Sequence, residues 1–213
     1  MKTIAVYAAK GGAGKTTLAV HLAVAAIGEL HVALFDCDVQ QQSAAGWALA
    51  RRKQQRLDEH PFTIVVDPVD VRSRHADAAA GRLEPARAYE LLVIDCPPRV
   101  DARSAAILAV ADVIVVPVMP SALDIGALDT TLELVAASGK RAYMVLNACA
   151  SRSREVDEAK ELLSHEAIPL APIHLGYRRA FSRSLPSGQT ATEFEPRGAA
   201  AAEIAQLYKF LMT

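Results

Sequence analysis

The sequence predicts an open α/β fold: a mainly parallel, twisted sheet with helices on both faces, in one domain spanning residues 1–213. Three observations predict it. Short apolar runs recur along the chain with helical stretches between them, the alternation that builds parallel sheets through crossover connections. Several of these runs are continuously apolar instead of alternating, as strands covered on both faces are. Hydrophobic residues make up 52% of the 213 residues but aromatic residues only 5%. The core must therefore come from Ala, Val, Leu and Ile, which suits buried strands against alanine-rich helices.

The strands expected in order are "TIAVYA" (3–8), "HVALFD" (31–36), "FTIVV" (62–66), "ELLVID" (90–95), "DVIVVPV" (112–118), "AYMVLN" (142–147) and the weaker "IPLAPI" (168–173). Helices are expected over 16–27, 43–58, 70–80, 101–110, 122–137, 154–166 and 198–211. The sharpest punctuation follows strands: "AAKGGAG" the first, "DCDVQQQ" the second, "DCPPR" the fourth and "MPSALD" the fifth. Ligands of open α/β sheets bind outside the carboxyl ends of the strands, so the unusual residues collect where chemistry belongs.

Composition excludes several classes. A net charge of −1 does not announce a nucleic-acid binder, so any DNA contact needs a local patch or one assembled by oligomerisation. Cys37, Cys96 and Cys149 are an odd, scattered set that fits neither a disulfide framework nor a zinc site. No apolar run is long enough to span a membrane. The chain enters its first strand at "MKTIAVY" without a signal peptide, so a soluble cytoplasmic protein is expected.

The stretch "AAKGGAGKTT" (8–17) joins the first strand to the first helix. Gly11, Gly12 and Gly14 free the backbone to turn its N–H groups toward an anion, and the helix aims its positive dipole end at the same place. This is a P-loop, with Gly11, Gly12, Ala13, Gly14, Lys15, Thr16 and Thr17 expected around the nucleotide. Lys15 is expected on the β- and γ-phosphates and the Thr16 hydroxyl on Mg²⁺. Asp95 ends the fourth strand, where a Walker B aspartate sits. Asp36 and Asp38 end the second strand on one side of the chain. Two such carboxylates suit a cation or a polarised water, so Asp36 is assigned to the Mg²⁺ shell and Asp38 to orienting the attacking water. The alternative for this pair is an Asx-capped turn. A second lysine, Lys10, stands at the loop's mouth, and Ala9 replaces the usual first glycine.

"KGGAGKTT", "DCDVQ", "VIDCPP" and "VPVMPSALD", in that order, resemble the deviant Walker A ATPases of the ParA/MinD type, and the short chain most resembles the small ParA-type partition ATPases. The resemblance implies ATP as substrate with Mg²⁺, an ATP-sandwich homodimer, and Lys10 as the signature lysine that reaches the phosphates of the other subunit. Lys10, Lys15 and Asp38 form the catalytic set. The sequence departs from the family pattern at Val39, usually proline, and at Cys96, commonly threonine. Asn147 either contacts the adenine edge, as the resemblance implies, or makes a turn at a strand end. Pro172 is placed on the base pocket's wall, and Ser121 with Asp124 fits a capping box.

The resemblance further implies non-specific DNA binding by the ATP-bound dimer, nucleoid association in that state, and hydrolysis stimulated by a centromere-binding adaptor of the ParB type. Arg178, Arg179 and Arg183, in a segment without carboxylates, are the candidate phosphate contacts; a solvated helix face is the alternative. "RRKQQR" (51–56) reads as a solvated helix end. The C-terminal helix is poorly basic for a membrane anchor. The expected work is positioning of plasmid or chromosome. The alternatives are positioning of another cargo (a conjugation or secretion complex, a protein cluster, or a MinD-like membrane cycle) and a metabolic carboxylase or synthase on the same fold.

Overall fold

The structure is a computed structural model that describes residues 1–54, the backbone of 62–66, and residues 89–213. Six parallel strands lie in the order β3-β2-β4-β1-β5-β6. They are β1 (Lys2–Val6), β2 (Val32–Asp36), β3 (Phe62–Val66), β4 (Leu91–Asp95), β5 (Val113–Val118) and β6 (Arg141–Leu146). The continuous apolar runs are explained by burial: β2, β4 and β5 are buried at every residue.

Strand side chains alternate between two cores. Ile4, Val6, Leu34, Val93 and Val115 face α1 (Lys15–Ala25), α2 (Ser43–Lys53) and α9 (Ala199–Met212). Ala5, Tyr7, Phe35, Ile94 and Ile114 face α3 (Ala102–Val110), α5 (Asp129–Ala137) and α6 (Arg154–Leu163). The helix after β1 therefore leaves to one face and the helix after β4 to the other, although β1 and β4 are neighbours. A crevice opens at their carboxyl ends, and it holds the phosphate loop and Asp95.

Pro117 lies inside β5 without breaking the sheet. Val115 still accepts from the Tyr7 N–H at 2.9 Å, and the β1 pairing ends there as the chain turns into the phosphate loop. The N–H that Pro117 lacks would point at a strand that has already left.

The expected strand 168–173 is irregular: Met144 donates to Pro169 and Ala171 to Met144, so the segment runs beside β6 with only an isolated bridge. The expected helix 122–137 is two, α4 (Ala122–Ile125) and α5, broken at Gly126. Between β6 and α9 lie α7 (Arg179–Ser184), a 3₁₀ turn (Leu185–Ser187) and α8 (Ala191–Phe194). The expected helix 70–80 and the end of 43–58 fall outside the described residues. No helix among the described residues is long and apolar enough to cross a membrane.

Candidate functional site: a phosphate loop with an orphaned carboxylate

The phosphate loop is fixed by contacts from distant elements. Gly14 is the N-cap of α1 with φ 92°, and a Cβ there would strike the Asn147 amide. Both the left-handed backbone and the close approach require glycine. Gly12 is also left-handed, at φ 81°, whereas a Cβ on Gly11 would meet nothing within 4 Å. The Asn147 amide donates to the Ala13 carbonyl at 2.9 Å, and its oxygen accepts from the Ala148 N–H at 2.9 Å. Asn147 thus braces the loop. Ala9, at the position of the usual glycine, donates its N–H to the buried Thr131 hydroxyl on α5 at 3.0 Å. No local sequence signal marks Thr131, because its partner lies 122 residues away.

The first turn of α1 has no side-chain cap and no acidic residue, so its N–H groups are left for an anion. Lys15 is 7% exposed and donates to the Lys10 carbonyl at 3.0 Å. Burial lowers its pKa, against the opposing pull of Asp95, Cys96 and Asp38. Lys10 itself is paired with Asp124 at 2.6 Å. Asp124 belongs to α4, whose N-cap is Ser121: the Ser121 oxygen accepts from the Asp124 N–H, which is one half of the expected capping box, while the Ser121 N–H donates to the Met119 carbonyl and the Asp124 carboxylate turns to Lys10.

The three acids differ in state. Asp36 and Asp95 are register partners across β2 and β4. Asp36 is buried but satisfied, accepting from the Asp38 N–H at 3.1 Å and the Ala45 N–H at 3.0 Å, so it also caps the start of α2. Burial raises its pKa more than those two bonds lower it. Asp38 accepts from the Gln40 and Gln41 N–H groups, each at 3.3 Å, which is an Asx-type turn. Asp95 is 1% exposed, and neither oxygen has a hydrogen-bond partner. Burial pushes it up to about 7, with the Thr16 side chain and Lys15 only partly opposing. The Asp95 carboxylate and the Thr16 hydroxyl beside it supply the oxygen donors that a hard divalent cation takes, while Lys15 is left to the phosphates.

A cavity of about 770 Å³ runs from Gly14, Thr16 and Thr17 between α2 and α7. Asn147, Gly176, Tyr177 and Arg178 line it near the loop, and His21, Trp47 and Phe181 line it further in. Burial pushes His21 down to about 4. The neutral ring donates from Nδ1 to the Thr17 carbonyl at 2.7 Å and accepts at Nε2 from the Ala191 N–H at 3.0 Å. Pro172 does not wall this cavity; it is exposed, lying between the two stretches that bond to β6.

The arginine patch also needs correction. Arg178 is the N-cap of α7 and pairs at 2.8 Å with Glu203 of α9, a carboxylate supplied from outside its own carboxylate-free segment. Arg179 and Arg183 remain exposed at the cavity rim. Arg51, read as part of a solvated helix end, is 3% exposed. It donates to Glu193 at 2.8 and 2.9 Å and to the Gly188 carbonyl at 3.0 Å.

A P-loop opening a helix at the carboxyl edge of a parallel sheet, with a strand-end aspartate beside it, is the arrangement of a P-loop nucleoside-triphosphatase. The chain belongs to the family of the ATPase MipZ, whose family model matches residues 2–162. It is 31% identical over 205 residues to the maintenance of carboxysome distribution protein A of Gloeobacter kilaueensis, covering 95% of this chain and 89% of that one. A plasmid partition protein of Borrelia burgdorferi, bound to AMPPNP, superposes with a TM-score of 0.75 at 16% identity over 99% and 98% of the two chains. The septum site-determining protein MinD of Pyrococcus horikoshii, with Mg-ADP, gives 0.74 at 17% over 99% and 95%. These two establish the fold.

Proposed function

We propose that this ATPase runs an ATP-gated positioning cycle whose cargo is a protein assembly of the carboxysome kind instead of a replicon. The observation that carries the ATP-dependent step is Asp95, a buried carboxylate without a partner beside the phosphate loop. The cargo reading rests on the carboxysome-distribution relative, which matches nearly the whole chain.

In this cycle Lys15, Gly12, Ala13, Gly14, Thr16 and Thr17 hold the triphosphate. Thr16 and Asp95 would hold Mg²⁺, which would neutralise phosphate charge, while Asp36, assigned from the sequence to the Mg²⁺ shell, has both oxygens on backbone N–H groups and instead keeps the head of α2 in place. Asp38 leaves its turn to orient water. Lys10 crosses to the phosphates of a second copy, so a dimer forms only where a triphosphate offers the lysine a partner. Arg179 and Arg183 meet DNA phosphates without sequence preference, with Arg178 as their structural anchor. An adaptor on the cargo, rather than a centromere-binding protein, stimulates hydrolysis.

The test is binding to a random-sequence duplex with ATP, with ADP and without nucleotide, using Lys15→Ala as control. Binding is expected with ATP alone and is lost in the variant. Protein that hydrolyses ATP but binds DNA in no state rules out DNA as the matrix.

A further inference from the structure

We propose that Asp124 is a positioning residue that holds Lys10 within its own protomer until a triphosphate arrives. The inference rests on the reading of Lys10 as the cation offered to a second copy.

Both loop lysines are occupied internally. The Lys15 ammonium donates to the Lys10 carbonyl at 3.0 Å, and the Lys10 ammonium is 2.6 Å from Asp124 Oδ1. Asp124 is built for this contact. It sits in the first turn of α4, where the Ser121 hydroxyl bonds its other oxygen, Oδ2, and leaves Oδ1 to the lysine. Its side chain is 15% exposed, whereas that of Lys10 is 41% exposed. The pair is open on the lysine's side. A phosphate presenting more charge can draw the lysine away without dismantling the acid's own support.

The two lysines are also linked in order. A triphosphate in the loop turns Lys15 toward phosphate oxygens, and the Lys10 carbonyl then loses its donor. The backbone that carries Lys10 is loosened by the same event that creates the need for a second subunit. Asp124 therefore competes with the partner's phosphates for one ammonium. Removing its charge lowers the protein concentration at which ATP assembles the dimer.

The experiment is sedimentation velocity over a protein concentration series with ATP and Mg²⁺, for wild type, Asp124→Asn, Lys10→Ala and the double variant. Asp124→Asn is expected to dimerise at roughly two- to fivefold lower concentration, the range set by a half-exposed ion pair. Lys10→Ala is expected to stay monomeric with or without Asp124→Asn, and tighter assembly by Asp124→Asn alone is an outcome that loss of a merely structural aspartate would not give. Asp124→Asn dimerising at or above the wild-type concentration, while Lys10→Ala stays monomeric, overturns the latch alone. A double variant that dimerises where Lys10→Ala alone does not also overturns it. Lys10→Ala dimerising like wild type overturns the trans role beneath it. If Asp124→Asn fails to melt cooperatively, Asp124→Ser, which also removes the charge and keeps a small polar residue in the first turn of α4, is read in the same assay against the same outcomes.

Discussion

A carboxylate with two buried, unpartnered oxygens is held against a gradient, and the pH at which Asp95 ionises reports that cost. Its folded-state pKa, about 7, lies above the ordinary 3.8. The ionised group therefore destabilises the nucleotide-free protein above pH 7, less as the pH falls, and not at all below about 4. Asp95→Asn removes the charge but buries an amide that lacks partners too. The expected gain at pH 8 is roughly 1–3 kcal/mol, shrinking toward zero at pH 4, with Mg²⁺-dependent hydrolysis lost. Urea titrations at the two pH values check this; a gain that does not depend on pH would sink it. Asp95 was legible because a strand-end aspartate after "LLVI" has one common use in a P-loop protein. Its isolation was not, because that depends on Asp36 taking the nearby donors, the Asp38 N–H in the loop and the Ala45 N–H of α2.

At the scale of elements, α2 shows what a charge run conceals. Ala44, Trp47, Ala48 and Arg51 are the buried residues of this helix, at the i, i+3, i+4, i+7 spacing of one face. The spacing was present in the sequence, but the run "RRKQQR" drew the reading toward solvent. Glu193, which makes the burial tolerable, lies 142 residues further on. Trp47 adds a bond from its indole N–H to the Gln189 carbonyl at 3.1 Å, so α2 and segment 188–193 are fastened together. Arg51→Met leaves Glu193 half-buried with its best partner gone and is expected to cost about 3–5 kcal/mol in urea unfolding. Adding Glu193→Leu should recover part of that loss, because the stranded charge goes with it. A double variant as unstable as the sum of the singles would show that Arg51 acts through packing alone. Periodicity found the helix here but could not separate α4 from α5, since both halves carry apolar residues and only Gly126 marks the break.

For the whole molecule, the sheet was legible nearly strand by strand, because buried parallel strands are continuous apolar runs and their loops carry the chemistry. The order β3-β2-β4-β1-β5-β6 was not legible: nothing local says that β4 inserts between β1 and β2. That insertion sets Asp36 beside Asp95 and brings the Asp38 turn to the same crevice as the phosphate loop. The assembly cycle is accordingly expected to turn on Asp38. Its carboxylate now holds the Gln40 and Gln41 N–H groups, so it must leave that turn to reach a water. Loss of a positioned base typically costs about 10²–10⁴ in rate, while the groups that bind the triphosphate stay in place. Asp38→Ala should therefore bind ATP normally, hydrolyse it slowly, and accumulate as dimer because the phosphate that Lys10 needs is not consumed. Gel filtration with ATP, read beside phosphate release, decides this. A dimer that persists while turnover falls is the expected pair of results; unimpaired turnover would remove Asp38 from the mechanism and leave its turn as the whole of its role.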